Sequence, residues 1–165
     1  MSEPNVPELK VGDAAPPFTL ESTAGGTVTL AGLKSAVVLY FYPKDDTPGC
    51  TKEACAFREI DAEIKKADAV VLGVSMDAIE SHQKFVKKYA LSFPLLSDPD
   101  GAVSRAYGVY KLKNMYGKTF WGIERTTFLI DPTGKIAQIY PRVKVDGHAD
   151  AVLSALETLK VAQVD

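Results

Sequence analysis

Two short stretches, Ala36–Tyr42 and Ala69–Ser75, run almost without a polar side chain and are rich in β-branched and aromatic residues. Strands half-exposed to water alternate apolar and polar positions, whereas strands covered on both faces read as continuous apolar runs. These two segments therefore require a sheet with layers packed over both of its sides. Between them, Asp45-Asp46-Thr47-Pro48 carries a helix-start signal, with Thr47 as N-cap and Pro48 at the first helical position. That helix is expected to run to about Lys66. A second helix is expected over Ala78–Ala90, with Asp77 as candidate N-cap. The alternation β-α-β-α argues for an α/β layer architecture.

The remaining segments extend this frame. Val11–Leu30 alternates on both sides of Gly25-Gly26 and reads as a β-hairpin. Phe93–Leu96 is a short strand and Asp100–Tyr107 a short helix. Thr126–Ile130 and Lys135–Tyr140 flank Asp131-Pro-Thr-Gly, which predicts an antiparallel hairpin. Val152, Leu153, Leu156 and Leu159 share helical spacing, so a last helix is expected over Ala149–Lys160. Strand-helix-strand-helix followed by strand-strand-helix is the order of the thioredoxin fold. The fold class read from the sequence is thus α/β, thioredoxin-like, with an added N-terminal β-hairpin and an inserted short strand and helix. The 165 residues suit one domain, with Met1–Lys10 as an extended tail.

Composition narrows the function. A formal charge of −2 and the lack of any clustered Lys/Arg run argue against a nucleic-acid surface. The densest basic stretches, Lys84–Lys88 and Lys111–Lys118, also hold apolar residues and read as solvated surface. No apolar run approaches the length of a membrane span. The polar Met1–Lys10 has no apolar core of the kind a secretory signal needs, so a cytoplasmic protein is expected. In a reducing compartment, two cysteines are buried, metal-binding or catalytic rather than a permanent staple. Metal binding is the weakest of these, because His82 and His148 make no short ligand spacing with a cysteine; both histidines are expected at the surface or at caps.

The chemistry is concentrated in Pro43-Lys-Asp-Asp-Thr47-Pro-Gly49-Cys50-Thr-Lys-Glu53-Ala-Cys55. With Thr47 as N-cap, Cys50 is the third helical residue, facing free backbone N–H groups and the positive end of the helix. An ordinary thiol is roughly 3% ionised at pH 7, and a predominantly ionised one needs about 3.4 kcal/mol of extra stabilisation. A helix terminus contributes about 0.3–1 kcal/mol, and ~2 at best. A cation has to supply the difference. Arg125, at the head of the late hairpin and followed by an apolar strand, is the candidate; the alternative is a surface arginine paired with Glu124.

Pro43, Thr47 and Cys50 in the spacing Pro-x-x-x-Thr-x-x-Cys resemble the active-site motif of the peroxiredoxins. A second cysteine five residues later, Asp98-Pro-Asp-Gly and Arg125-Thr-Thr-Phe-Leu-Ile-Asp resemble the Q-type subfamily, or bacterioferritin comigratory proteins. The likeness runs from about Val11 to Leu159, with no clear departure at a motif position. It implies a thiol peroxidase for hydrogen peroxide and organic hydroperoxides that needs no metal or organic cofactor. In it Cys50 would be the peroxidatic nucleophile, and Cys55 would resolve its sulfenic acid as an intramolecular disulfide. Thr47 would link thiolate and peroxide through hydrogen bonds, and Arg125 would hold both. Pro43 would shield the site from water, Gly49 would line it, and Glu53 would orient the arginine. Thioredoxin or a similar dithiol protein would be the reductant, and the chain a monomer.

Three other readings compete: two structural cysteines, a redox sensor or holdase, and a dithiol-disulfide oxidoreductase. The last normally carries Cys-x-x-Cys, closer than the Cys50–Cys55 spacing. On an ideal helix starting from Cys50, Ala54, Phe57, Ile60 and Ile64 share its face, whereas Cys55 lies about 140° away. Five helical residues separate the two Cα atoms by roughly 8.7 Å, beyond the ~7 Å that a disulfide tolerates. A bond between them requires local unwinding.

Overall fold

The computed structural model describes residues 7–164, with side chains described as far as residue 160. Residues 1–6 of the expected extended tail lie outside that range, and residues 7–10 carry no helix or strand.

The two apolar stretches form the centre of the sheet. β3 (Ala36–Phe41) and β4 (Ala69–Ser75) pair in parallel over six residues, from Ala36 opposite Ala69 to Phe41 opposite Val74. All residues of β3 are buried, and they alternate between two cores. Ala36, Val38 and Tyr40 join one; Val37, Leu39 and Phe41 join the other. β5 (Leu95–Ser97) continues the parallel set beside β4. On the opposite flank β8 (Thr126–Ile130) runs antiparallel to β3 and is followed by β9 (Ile136–Tyr140). The early hairpin, β1 (Thr19–Ser22) and β2 (Thr27–Thr29), docks antiparallel on β5. The seven-stranded order is β2-β1-β5-β4-β3-β8-β9.

Consecutive crossovers β3-α1-β4 and β4-α2-β5 advance in the same direction across the sheet, so both helices lie on the same face. α1 (Pro48–Lys66) and α2 (Ile79–Tyr89) share that face with α4 (His148–Val164). Phe57 and Ile64, Phe85, and Val152 and Leu156 are their respective buried anchors in one cluster. Tyr107 and Val109, which follow the short α3 (Ala102–Ala106), cover the other face with Phe18, Leu30 and Ile123.

Several expectations need correction. The sequence reading leaves the stretch from Tyr107 to Arg125 without strands, but β6 (Tyr110–Met115) and β7 (Lys118–Ile123) form a separate two-stranded ribbon. Its turn, Tyr116-Gly117, has positive φ at both residues (53° and 77°), as a tight hairpin turn requires. Of the lysines expected here at a solvated surface, Lys118 is exposed, but Lys111 and Lys113 are half-buried and bonded to Glu124 and the Ile123 carbonyl, while Leu112, Met115, Tyr116 and Phe120 are exposed. β5 begins two residues later than expected, at Leu95, and α3 is shorter than Asp100–Tyr107. Asp77 does not cap α2: the N-cap is Ala78, and the Asp77 carboxylate accepts from the Asp45 N–H and the Ser75 hydroxyl. His82 and His148 are buried, not at the surface. No described helix is long and apolar enough to cross a membrane.

Candidate active site

The first turn of α1 sits at the end of β3, where Tyr42 still packs in the core and the chain turns through Pro43–Asp46. Thr47 has the extended backbone of an N-cap, and Pro48 opens the helix. The Thr47 hydroxyl does not cap, however; it donates backwards to the Lys44 carbonyl at 3.0 Å. The free N–H groups of the first turn are therefore left to the site, and the Thr47 oxygen keeps its acceptor capacity. Cys50 is buried on the core face together with Ala54, Phe57 and Ile64. Cys55 is half-buried further along the same unbroken helix, and both thiols are free.

Arg125 reaches Cys50 by strand parity. Residues 125, 127 and 129 alternate onto the sheet face that carries α1, with Leu129 in the core beneath it. The guanidinium divides its nitrogens: Nη2 donates to Cys50 Sγ at 3.3 Å, and Nη1 to Glu53 Oε1 at 2.7 Å. Glu124, the alternative partner, instead pairs with Lys111. Gly49 eases the approach, since a Cβ there would lie 3.1 Å from Arg125 Nη2 and the guanidinium would have to give by a few tenths of an ångström.

Glu53 is 1% exposed, and its second oxygen, Oε2, has no hydrogen-bond partner among the described residues. Burial outweighs the adjacent guanidinium and pushes its carboxyl from 4.5 up to about 7. Arg125 is pushed the other way from neutralisation: burial alone would lower it, but Glu53 and Cys50 hold it above its ordinary value. His148 Nε2 meets Thr127 Oγ1 at 2.8 Å on the same face. Burial, aided by Arg125, lowers this imidazole from 6.5 to about 4, so it is neutral near pH 7 and leaves Arg125 as the cation beside the thiol.

The structure brings Cys50, Gly49, Glu53 and Arg125 together, with Thr47 at the head of the same turn. Pro43 lies in the exposed bend leading into it. Sequence reasoning missed Tyr40, whose ring stacks on Phe57 with centroids 4.9 Å apart and whose buried hydroxyl has no hydrogen-bond partner among the described residues. Its pKa is raised by burial, then by the Glu53 and Cys50 charges, which places it under the site. Two tyrosines two residues apart in an otherwise apolar strand were the available signal, because buried hydroxyls need a polar neighbourhood.

It also missed the cluster that fastens the bend. Asp45 Oδ1 accepts from Tyr42 at 2.6 Å, while Oδ2 meets Ser81 Oγ at 2.8 Å and His82 Nδ1 at 2.6 Å. His82 Nε2 meets the Leu96 carbonyl at 2.9 Å. Asp45, Asp77 and His82 bring ligand atoms within 4.8 Å of one another. Both Asp45 oxygens and both His82 nitrogens are already used in these bonds, which assigns the cluster to holding the loop. Chemically, the site offers a buried thiol at a helix N-terminus, a cation within bonding distance, and N–H donors aimed at one small volume. That combination suits nucleophilic attack by sulfur with stabilisation of a departing oxyanion.

A family profile described as AhpC/TSA family matches residues 11–139. A putative peroxiredoxin bcp of Coxiella burnetii is 54% identical over 149 residues, covering 90% of this chain and 99% of the relative. Peroxiredoxin Bcp of Bacillus subtilis is 46% identical over 153 residues, 92% of this chain and 96% of its own. Among solved structures, peroxiredoxin Q of Xanthomonas campestris superposes with a TM-score of 0.83 at 49% identity, covering 87% of this chain and 91% of that one. A second structure from that organism, of a bacterioferritin comigratory protein described for its alkyl peroxide reduction activity, gives 0.83 at 48% identity over 87% and 92%.

Proposed function

Because this chain belongs to the AhpC/TSA family and is a peroxiredoxin, a peroxidase on a thioredoxin-like fold, we propose that Cys50 is its peroxidatic residue and Cys55 the resolving thiol. The observation that carries this reading is the Arg125 guanidinium, bonded at once to Cys50 Sγ and Glu53. The Cys50 thiolate attacks one peroxide oxygen, the O–O bond breaks, and the other oxygen leaves as water or an alcohol once protonated. Arg125, the first-turn amides and Thr47 align the peroxide and take up the developing charge. Glu53 keeps the guanidinium in place through Oε1, Gly49 leaves room for it, and Pro43 limits water. The sulfenic acid is then resolved by Cys55, which forestalls oxidation to sulfinic acid.

Hydrogen peroxide and organic hydroperoxides are the proposed substrates, with thioredoxin or a similar dithiol protein as reductant. The chain works as one domain and as a monomer, since both thiols lie on one helix. A cytoplasmic setting fits a disulfide that must be reduced in each turnover.

The test is stoichiometric reduction of hydrogen peroxide by wild type, Cys50→Ser and Cys55→Ser, with mass spectrometry of the products. Cys50→Ser should be inactive. Cys55→Ser should reduce the first equivalent at the wild-type rate and then accumulate sulfinic acid. Turnover by Cys50→Ser would overturn the assignment of the nucleophile. A Cys55→Ser protein that resisted overoxidation better than wild type would overturn that of the resolver.

A further inference from the structure

The proposed cycle unwinds and rewinds the stretch between residues 47 and 57, and both ends of that stretch are tied to the last residue of α2. Before it, Asp46 occupies the left-handed region at φ 58, a conformation that aspartate and asparagine adopt more readily than other residues with side chains when a local hydrogen bond supports it. Its carboxylate is held there by the Tyr89 hydroxyl on Oδ1 at 2.8 Å and by Lys88 Nζ on Oδ2 at 2.7 Å. Beyond the stretch, Arg58 Nη1 donates to the Tyr89 carbonyl at 2.6 Å. That carbonyl belongs to the last turn of α2, whose end carbonyls lack partners within the helix once Ala90 turns left-handed at φ 51. One residue thus holds the entry of the redox segment with its side chain and the exit with its backbone.

We propose that Tyr89 is a positioning residue that braces the redox segment from both ends, confines its unwinding, and so sets how oxidised Cys50 divides between disulfide and sulfinic acid. The inference rests on the reading of Cys55 as resolver. In resolution, the Cys55 sulfur attacks the Cys50 sulfenic sulfur, the S–S bond forms and the S–O bond breaks. The oxygen leaves as water with the sulfenic proton and the thiol proton. In the competing step the sulfenic sulfur attacks a second peroxide and gains its oxygen, and the peroxide leaves as water or alcohol. The first step needs the unwound segment; the second needs the wound one. Cys50 and Cys55 are so close in sequence that their encounter, once unwound, does not depend on the brace. Releasing either tie therefore favours unwinding and diverts sulfenic acid to the disulfide.

The experiment titrates reduced protein with hydrogen peroxide and measures disulfide and sulfinic products by mass spectrometry. Tyr89→Phe keeps the ring and loses the bond to Asp46. It should lower the sulfinic-to-disulfide ratio about two- to tenfold, the worth of one ordinary, solvent-exposed hydrogen bond. Arg58→Met should shift the ratio the same way, and Arg58→Lys should restore part of it. Lys160→Met removes a contact to Lys66 and Asp68 at the far end of α1, and should leave the ratio at the wild-type value even if stability falls. Wild-type ratios in both Tyr89→Phe and Arg58→Met, or ratios shifted towards sulfinic acid, overturn the brace. An unchanged product spectrum in Cys55→Ser overturns the resolver itself, so the two failures are distinguishable. If Tyr89→Phe does not fold, Asp46→Gly, which suits the left-handed backbone and has no side chain to accept the Tyr89 hydroxyl, tests the same tie by the same ratio.

Discussion

Arg125 serves Cys50 and Glu53 through separate nitrogens, and a lysine could not do both from one ammonium group. Arg125→Ala should slow the peroxide step about a hundredfold or more, measured by stopped-flow with hydrogen peroxide. Arg125→Lys should recover only a small part of that loss. Glu53 adds a pH term to stability. Its carboxyl titrates at about 7 in the fold against 4.5 unfolded, so its contribution is full below 4.5 and is lost as pH rises through about 7. The loss amounts to roughly 3 kcal/mol. Glu53→Gln should match wild type near pH 4 and exceed it increasingly towards pH 8 in urea unfolding. A gap that did not widen with pH would show the carboxylate to be already ionised in the acidic range. The place of Cys50, Thr47 and Gly49 was legible because a helix start is a local property. Arg125 was a candidate by its position at the head of the late hairpin, with pairing to Glu124 left open until the fold showed Cys50 and Glu53 as its partners. His82 and Tyr89 were not legible, because each takes its meaning from a partner that only the fold supplies.

At the scale of elements, α1 was legible to the residue: Pro48 starts it, its apolar face matches Cys50, Ala54, Phe57 and Ile64, and it ends at Lys66. β4 was equally clear, because a valine-rich apolar run of seven residues is short for a buried helix and fits a strand covered on both faces. The β6–β7 ribbon was hidden, since its apolar members are scattered among lysines and most of its side chains are exposed or only half-buried. On the proposed cycle α1 carries both thiols on different faces, so disulfide formation must melt its first turns. Amide exchange across Thr47–Phe57 should be faster in the disulfide form than in the reduced form, while β4 changes little. Equal protection in the two redox states would count against unwinding.

For the molecule as a whole, the sheet separates two cores, and the one under α1 also seats α4 through Val152 and Leu156. Leu156→Ala should destabilise the protein by about 2–5 kcal/mol through the cavity it leaves, with the peroxide step of the folded fraction unchanged. His148, at the start of α4, makes the fold sensitive to acid. It is neutral in the native state to about 4 but accepts a proton at 6.5 when unfolded, so stability falls as pH drops through that range. His148→Gln should flatten this limb of the pH–stability curve; an unaltered limb would assign it to other groups.

The continuous α1 also bears on energetics outside the protein. A disulfide that forms only when a helix is melted holds the chain like a wound spring, because rewinding is released on reduction. Each ~1.4 kcal/mol of rewinding raises the reduction potential of the couple by about 30 mV. On the proposed cycle, helix propensity and core packing at Ala54 and Phe57 thereby become terms in electron transfer, and rewinding of α1 favours the dithiol once a reductant supplies the two electrons.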